Sequence, residues 1–335
     1  MDPIFIVGCG RSGTTLLRQV LGKHKNIYSV PTESHLFVNY KSRAFPFIHY
    51  YETNKDVEKL TLSVLTLMFN GDKKSPTLIK EERFTPEIIQ ILSELKETEG
   101  FRSLKNKHDV FNLCANYLTI REKKKRWVEK TPGNIRNLSF ILSLYPNAKF
   151  VDIYRDPRAV YCSGVNQRIL HKSSNLFEGI GLWRAVFKEG QKFLGNMPSQ
   201  YYQLCYEKLI KNPENELRKL CGFLGEDFDS EMLNVDVVNC FFDDSQGKKG
   251  FNILSLTRWK KLLSDHEKLF VDILTKEYRR KLGYADSGVK LTIFNLVPFA
   301  VFVIKKCIEG RKTLRLYIKS KVRSLLYNLK TRTTG

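Results

Sequence analysis

Short apolar runs alternate along this chain with stretches in which apolar residues recur every third or fourth position. The runs at Ile4 to Val7, Asn26 to Val30, Arg126 to Glu129, Ala148 to Tyr154 and Tyr201 to Tyr206 predict strands. Helical periodicity follows Thr14, Asn134, Pro157 and Pro213. More helix is expected between Val57 and Tyr117, interrupted at Gly71 to Pro76 and at Gly100. Ser264 and Glu267 have the spacing of a capping box, which predicts a long helix ending near Gly283. Strands alternating with helices specify an α/β fold around a central parallel sheet. No long Pro/Gly/Ser linker interrupts the first 285 residues, so one domain is expected over 1–286.

The pattern changes near Asp286-Ser287-Gly288, and residues 287–335 read as a tail. Leu291 to Ile304 is an apolar stretch flanked by Lys290 and Lys305-Lys306, too short to span a bilayer comfortably. From Arg311 onward, Leu314, Ile318, Val322, Leu325 and Leu329 share one helical face beside Lys312, Arg315, Lys319, Arg323 and Lys330. A basic amphipathic helix of this kind suits an anionic membrane surface. The blander reading is a helix packed back on the domain.

Charge sharpens this division. The 335 residues include 56 Lys+Arg and 35 Asp+Glu, a formal charge of +21. Residues 288–335 hold eleven of those bases and one acid, Glu309, so +10 falls in a seventh of the chain. Such asymmetry points to an anionic surface, and the still-basic body to a polyanionic small molecule. Aromatic residues are sparse among the basic ones of the tail, so a nucleic-acid partner is not expected. A hydrophobic fraction of 42% excludes a mostly disordered chain. No run of eighteen apolar residues reads as a conventional membrane span. The seven cysteines are scattered without a C-x-x-C pair, so neither a metal site nor a disulfide framework is expected. With no secretory signal legible at the N-terminus, the expected location is cytoplasmic, peripheral on the inner face of a membrane.

The richest chemistry stands at the end of the first strand: Gly8-Cys9-Gly10-Arg11-Ser12-Gly13-Thr14-Thr15. A buried strand turning through glycines into a helix aims backbone amides at one point and makes an anion site. Arg11 adds a fixed charge, and Ser12, Thr14 and Thr15 add hydroxyls. Gly8 and Gly13 have the spacing of the nucleotide-triphosphate P-loop, but Thr14 occupies its lysine position. A kinase or NTPase loses its main phosphate contact there. The second cluster, Tyr154-Arg155-Asp156-Pro157, ends a strand and opens a helix that carries Ser163. Pro157 suits the first helical turn, Asp156 its cap, and Arg155 the ligand-binding edge of a sheet.

Gly-x-x-Arg-Ser-Gly-Thr-Thr-Leu resembles the 5′-phosphosulfate loop of sulfotransferases that use 3′-phosphoadenosine 5′-phosphosulfate (PAPS), closest to Golgi-type and bacterial carbohydrate or tyrosyl-protein enzymes. Arg-Asp-Pro-x-x-x-x-x-Ser resembles the 3′-phosphate site of the same family. The resemblance covers about residues 3 to 284 and implies a P-loop-containing nucleotide hydrolase-like three-layer α/β/α domain. It implies that Arg11, Ser12, Gly13, Thr14 and Thr15 hold the 5′-phosphosulfate and that Arg155 and Ser163 hold the 3′-phosphate. The product would be 3′-phosphoadenosine 5′-phosphate, with no metal required.

Sulfuryl transfer needs a base for the acceptor hydroxyl and cations for the developing charge. Glu33-x-His35-x-Phe37 resembles the segment holding the catalytic glutamate of that family, with His35 as the competing base. The alternative makes Glu33 the first acidic residue of a helix. If the second strand neighbours the first, Glu33 lies beside the loop. Glu129-Lys130-Thr131-Pro132 resembles the family's Glu-Lys-Ser-Pro stretch, which gives Lys130 contact with the sulfuryl or bridging oxygens. Together with Arg11 these are the candidate catalytic residues. Ser255-x-x-Arg258-Trp259 resembles the late segment over the nucleotide. Arg258 is assigned toward the 3′-phosphate, and Trp259 either packs near adenine or fills the core. The Arg-Lys-Gly signature of the cytosolic sulfotransferases is absent, and Gly247-Lys248-Lys249-Gly250 is only a weak echo of it. The expected acceptor hydroxyl belongs to a glycan or glycolipid. The competing classes are a P-loop kinase or NTPase and a non-catalytic nucleotide-binding protein at a membrane surface.

Overall fold

Ile4, Phe5, Ile6 and Val7 are fully buried, which requires apolar cover on both faces of the strand they form. In the computed structural model this strand, β1 (Ile4–Gly8), lies at the centre of the sheet. The structure describes residues 2–38, 45–70, 84–166, 176–236 and 250–308. After β1 come α1 (Thr14–Lys23), β2 (Ile27–Ser29), α2 (Phe45–Thr53) and α3 (Val57–Asn70). Then follow α4 (Pro86–Lys96), α5 (Glu99–Arg102), α6 (Lys107–Arg121) and β3 (Arg126–Lys130). A 3-10 turn, Pro132–Asn137, leads into α7 (Leu138–Leu144) and β4 (Lys149–Tyr154). Next are α8 (Pro157–Asn166), α9 (Leu176–Asn196), β5 (Tyr201–Cys205), α10 (Tyr206–Lys211) and α11 (Pro213–Leu224). The described chain closes with α12 (Arg258–Leu262), α13 (Asp265–Lys281) and α14, over 293–308.

All strand pairs are parallel, in the order β2-β3-β1-β4-β5. The five expected strands are therefore the five observed. Ile6 lies opposite Lys130 and Gly8 opposite Ile153, so the carboxyl ends of β1, β3 and β4 come together. In the strand order, the strand after β1 lies toward one edge of the sheet and the strand after β4 toward the other, and such switch points are where open α/β sheets bind ligands. One expectation is corrected: β2 pairs with β3, not with β1. Another shifts slightly. Gly100 sits inside the one-turn α5, and the break falls around it. The interruption at Gly71 to Pro76 lies outside the described residues, as do the helix from Arg311 and Gly247 to Lys249.

The chain forms two compact units, one of residues 1–154 with 188–252 and one of residues 155–187 with 253–335. In the first, Phe5 organises an aromatic core. Its ring meets Trp127 edge-on at 5.5 Å and Phe37 at 5.3 Å, and stacks on Phe150 at 5.8 Å. In the second, Tyr161, Ile180, Trp259, Leu263, Phe270 and Phe299 share a core. There Arg158 is pinned from several sides. It bridges Asp156 at 2.7 Å and Asp272 at 3.2 Å, and its guanidinium lies 4.1 Å from the centre of the Trp259 ring. Asp156 also accepts the Arg158 amide at 2.9 Å, so it caps α8 as expected. The capping box of Ser264 and Glu267 opens α13.

Asp152 on β4 is a buried carboxyl held by Tyr201 Oη at 2.8 Å and Gln203 Nε2 at 3.0 Å. Burial raises its pKa from 3.8 to about 6, against those hydrogen bonds. Between these values the folded protein holds a proton that the unfolded chain has released. The stabilising contribution of Asp152 is thus full below 3.8 and lost as pH rises to about 6. The loss should be on the order of 2–3 kcal/mol. We expect Asp152→Asn to lack this component, so wild-type and variant stabilities should diverge by that amount from pH 4 to pH 7. Denaturant unfolding across that range checks it, and parallel curves would refute it.

Candidate active site

At the end of β1 the backbone turns through left-handed conformations at Gly8, Arg11 and Gly13. Gly13 has φ +101°, and a side chain there would collide with the Tyr206 ring. Around Gly10, by contrast, a side chain would meet nothing within 4 Å. Helix α1 then starts at Thr14 with no side-chain cap and no acidic residue in its first turn. Its leading amides are thus left for an anion. Ser12 Oγ is buried with no hydrogen-bond partner among the described residues. An orphaned hydroxyl, open space above Gly10 and uncapped amides fit a phosphosulfate ligand. Arg11 is half-buried on this loop. Burial pushes the Cys9 thiol up to about 12, so the loop cysteine is not a thiolate.

β3 delivers the next group. Lys130, at its carboxyl end, forms an ion pair with Glu33 Oε1. The other Glu33 oxygen lies 3.4 Å from His35 Nε2. The Lys130 side chain is 5% exposed and that of Glu33 34%, so the carboxylate faces outward and the ammonium is sunk behind it. Burial holds the Lys130 pKa below the ordinary lysine value, while Glu33 opposes that shift. Glu33 does not begin a helix; residues 31–38 form a turn-rich loop in which His35 has φ +55°. The pairing of β2 with β3 is what brings Glu33 to Lys130.

Sequence reasoning gave Glu129 no role. Its buried carboxylate accepts from Ser34 N at 3.2 Å, Ser34 Oγ at 2.9 Å, Asn134 Nδ2 at 2.7 Å and Thr131 Oγ1. Burial raises its pKa, and the bonds from Thr131 and Ser34 oppose that. Thr131 Oγ1 also receives the His35 amide at 3.2 Å. Phe37 inserts between Phe5 and Phe111. The loop is thereby anchored immediately after Glu33. The available signal was an acidic residue inside an otherwise buried strand, which requires partners. Arg18 of α1 was missed too. Its Nη1 donates to Val30 O at 3.1 Å, and burial lowers its pKa while the charges of Glu33 and Glu129 raise it.

The remaining predicted residues lie in the second unit. Arg155 is buried and donates from Nη2 to Ser255 O at 2.7 Å. Its own carbonyl accepts from Trp183 Nε1 at 3.0 Å. Ser163 is half-buried on α8. Arg258, half-buried, begins α12. The fold thus unites Arg155 with the 255–259 segment. Of its two readings, Trp259 takes the core one, beneath Arg158.

A family model described as "Sulfotransferase family" matches residues 3–230. A putative protein-tyrosine sulfotransferase of Caenorhabditis briggsae is 24% identical over 298 residues, covering 86% of this chain and 90% of that protein. An omega-hydroxy-beta-dihydromenaquinone-9 sulfotransferase of Mycobacterium tuberculosis (strain CDC 1551 / Oshkosh) is 27% identical over 261 residues, covering 67% of this chain and 62% of that protein. Among solved structures, the sulfotransferase domain of the Synechococcus PCC 7002 olefin synthase superposes with a TM-score of 0.54 at 21% identity. That match covers 85% of this chain and 95% of the domain, and it establishes a shared fold.

Replacing Glu129 by Gln should separate its role from that of Glu33. The amide would turn a donor toward groups that all donate, so Glu129→Gln should cost about 1–3 kcal/mol. Glu33→Gln forfeits the ion pair with the buried Lys130 but none of the bonds that anchor the loop, so it should cost less than Glu129→Gln. Denaturant midpoints measure both, and equal costs would show that Glu129 does not anchor the loop.

Proposed function

Since the chain belongs to the sulfotransferase family and so takes PAPS as donor and a hydroxyl as acceptor, we propose that the Glu33–Lys130 pair performs the transfer. The observation that carries this reading is that ion pair, held on an anchored loop at the carboxyl edge of the sheet. PAPS supplies an activated sulfuryl group on a phosphate leaving group. The loop residues Arg11, Ser12, Gly13, Thr14 and Thr15 bind its 5′ end through amides, hydroxyls and a fixed charge. Arg155 and Ser163, with Arg258, take the 3′-phosphate.

Glu33 accepts the acceptor's proton as the new O–S bond forms. His35 orients the carboxylate from its second oxygen and is the alternative base. Lys130 steadies the charge that builds on the sulfuryl and bridging oxygens. Its long stem lets it leave Glu33 for the donor, and its burial keeps it poorly hydrated and attractive to an anion. These steps use no metal.

The acceptor we favour is a glycan or glycolipid hydroxyl, supported by the motifs' likeness to carbohydrate sulfotransferases. A tyrosyl hydroxyl is the second reading, favoured by the name of the nematode relative. Labelled PAPS offered with polysaccharide, with extracted lipid and with tyrosyl peptides separates the two by which product carries label.

Two outcomes test the roles. Glu33→Gln should keep nucleotide affinity and lose about 10²-fold or more in kcat. Lys130→Ala should likewise lower kcat, whereas Arg155→Ala should raise the KM for donor. Steady-state kinetics decide, and an undiminished kcat for Glu33→Gln would move the base to His35. In a thermal-shift assay, 3′-phosphoadenosine 5′-phosphate should stabilise the protein and ATP should do so poorly. Equal shifts would count against a dedicated 3′-phosphate site.

A further inference from the structure

Helix α14 turns one stripe inward. Phe299 is buried, Phe302 and Val303 pack beside it, and Asn295 and Lys306 extend the same line at helical spacing. The Phe302 ring meets Phe270 edge-on at 6.0 Å, and His266 lies 5.6 Å from it. Docking by one stripe normally leaves a polar outer face. Here that face is apolar. Phe294 is 95% exposed, Ile293 90% and Val297 69%, and Val301, Ile304 and Ile308 are at least half exposed. Side chains of this size in one contiguous row mark an interaction surface.

Charge selects the partner. Lys290 precedes the helix and Lys305 and Lys306 lie in its last described turns, while the stretch from Ser287 to Ile308 carries no acid. Residues 288–335 together carry +10. A second copy of the chain would bring the same positive field to the contact, which opposes pairing. An anionic lipid surface offers complementary charge at the rim and hydrocarbon at the centre. Its described residues, 293–308, span about 24 Å at 1.5 Å per residue, against about 30 Å for a bilayer core. No helix of the described residues is long and apolar enough to cross a membrane. With one face fixed to the domain and lysines flanking its apolar row, α14 lies along the surface rather than through it.

We infer that α14 is a docking face for an anionic membrane surface, with Ile293, Phe294, Val297, Val301, Ile304 and Ile308 entering the acyl boundary. The mode joins two forces. Lysine attraction is screened by salt, while apolar insertion is not.

Full-length protein is sedimented with phosphatidylcholine vesicles that contain or lack phosphatidylglycerol. It should pellet with the anionic vesicles and be released only in part by high salt. The double variant Phe294→Asp/Val297→Asp should lower the bound fraction about tenfold or more. Its thermal shift with 3′-phosphoadenosine 5′-phosphate should match that of wild type, since neither residue lies in the proposed site. Phe294→Trp should show a blue shift in emission on adding anionic vesicles. Lys290→Gln/Lys305→Gln should weaken binding less and flatten its salt dependence. A wild-type chain left in the supernatant overturns the proposal. So does an aspartate variant that binds as well as wild type. If instead wild type self-associates, ignores vesicles and becomes monomeric on the aspartate substitutions, the face joins two copies and the proposal is wrong.

Discussion

A carboxylate sealed inside a parallel sheet must be matched by donors, and Glu129 is matched by four from two separate segments. Thr131 and Asn134 follow it closely in the chain, but Ser34 comes from the loop after β2. Satisfying Glu129 therefore fixes where that loop runs. Glu33 precedes the anchoring serine, and Lys130 follows the anchored glutamate. Their ion pair is the surface expression of a buried hydrogen-bond network. Phe37 closes the same loop from below by filling a slot between Phe5 and Phe111. Polar satisfaction thus sets the loop's height and aromatic packing its footing.

The second unit solves a similar problem with charge. Arg158 and Arg279 are sunk in an apolar setting, and Asp272 serves both, at 3.2 Å and 3.4 Å. Asp272 also accepts the Ser287 amide at 2.7 Å. Tyr284 O receives Arg279 at 2.8 Å, so the segment leaving α13 is tied back before α14 begins. Each side-chain nitrogen of Arg158 and both terminal nitrogens of Arg279 have acceptors, which lets buried arginines tolerate such settings. The passage near Asp286 that reads in sequence as a change of composition is, in three dimensions, a knot of ion pairs.

The strands were legible because fully buried parallel strands leave unbroken apolar runs, and the phosphate loop because glycine spacing is a backbone requirement. Capping signals at Ser264 and Asp156 were readable for the same local reason. Strand order was not, since no local feature records that β2 lies against β3. The contact of Glu33 with Lys130 depends on that order and so stayed hidden, although each residue was singled out alone. Glu129 was overlooked because its meaning lies in burial, which the run Trp127-Val128-Glu129 shows only once neighbouring strands are known. For α14, apolar length was visible, but not which residues turn inward. Phe299 and Phe294 look alike in sequence and differ entirely in surroundings.

The central position of β1 carries a consequence for biosynthesis. Ile4 pairs with Val128 on one side and Lys149 on the other. At about 5–20 residues per second, on the order of ten seconds of translation separates β1 from its first neighbour. Throughout that interval the most apolar strand of the sheet has two open edges and no partner. Its ladder closes only through contacts of long sequence separation, which form slowly and at high entropic cost. The nascent chain is therefore most exposed to misassembly while helices α1 to α6 are being made, and protection by a chaperone matters most over that span.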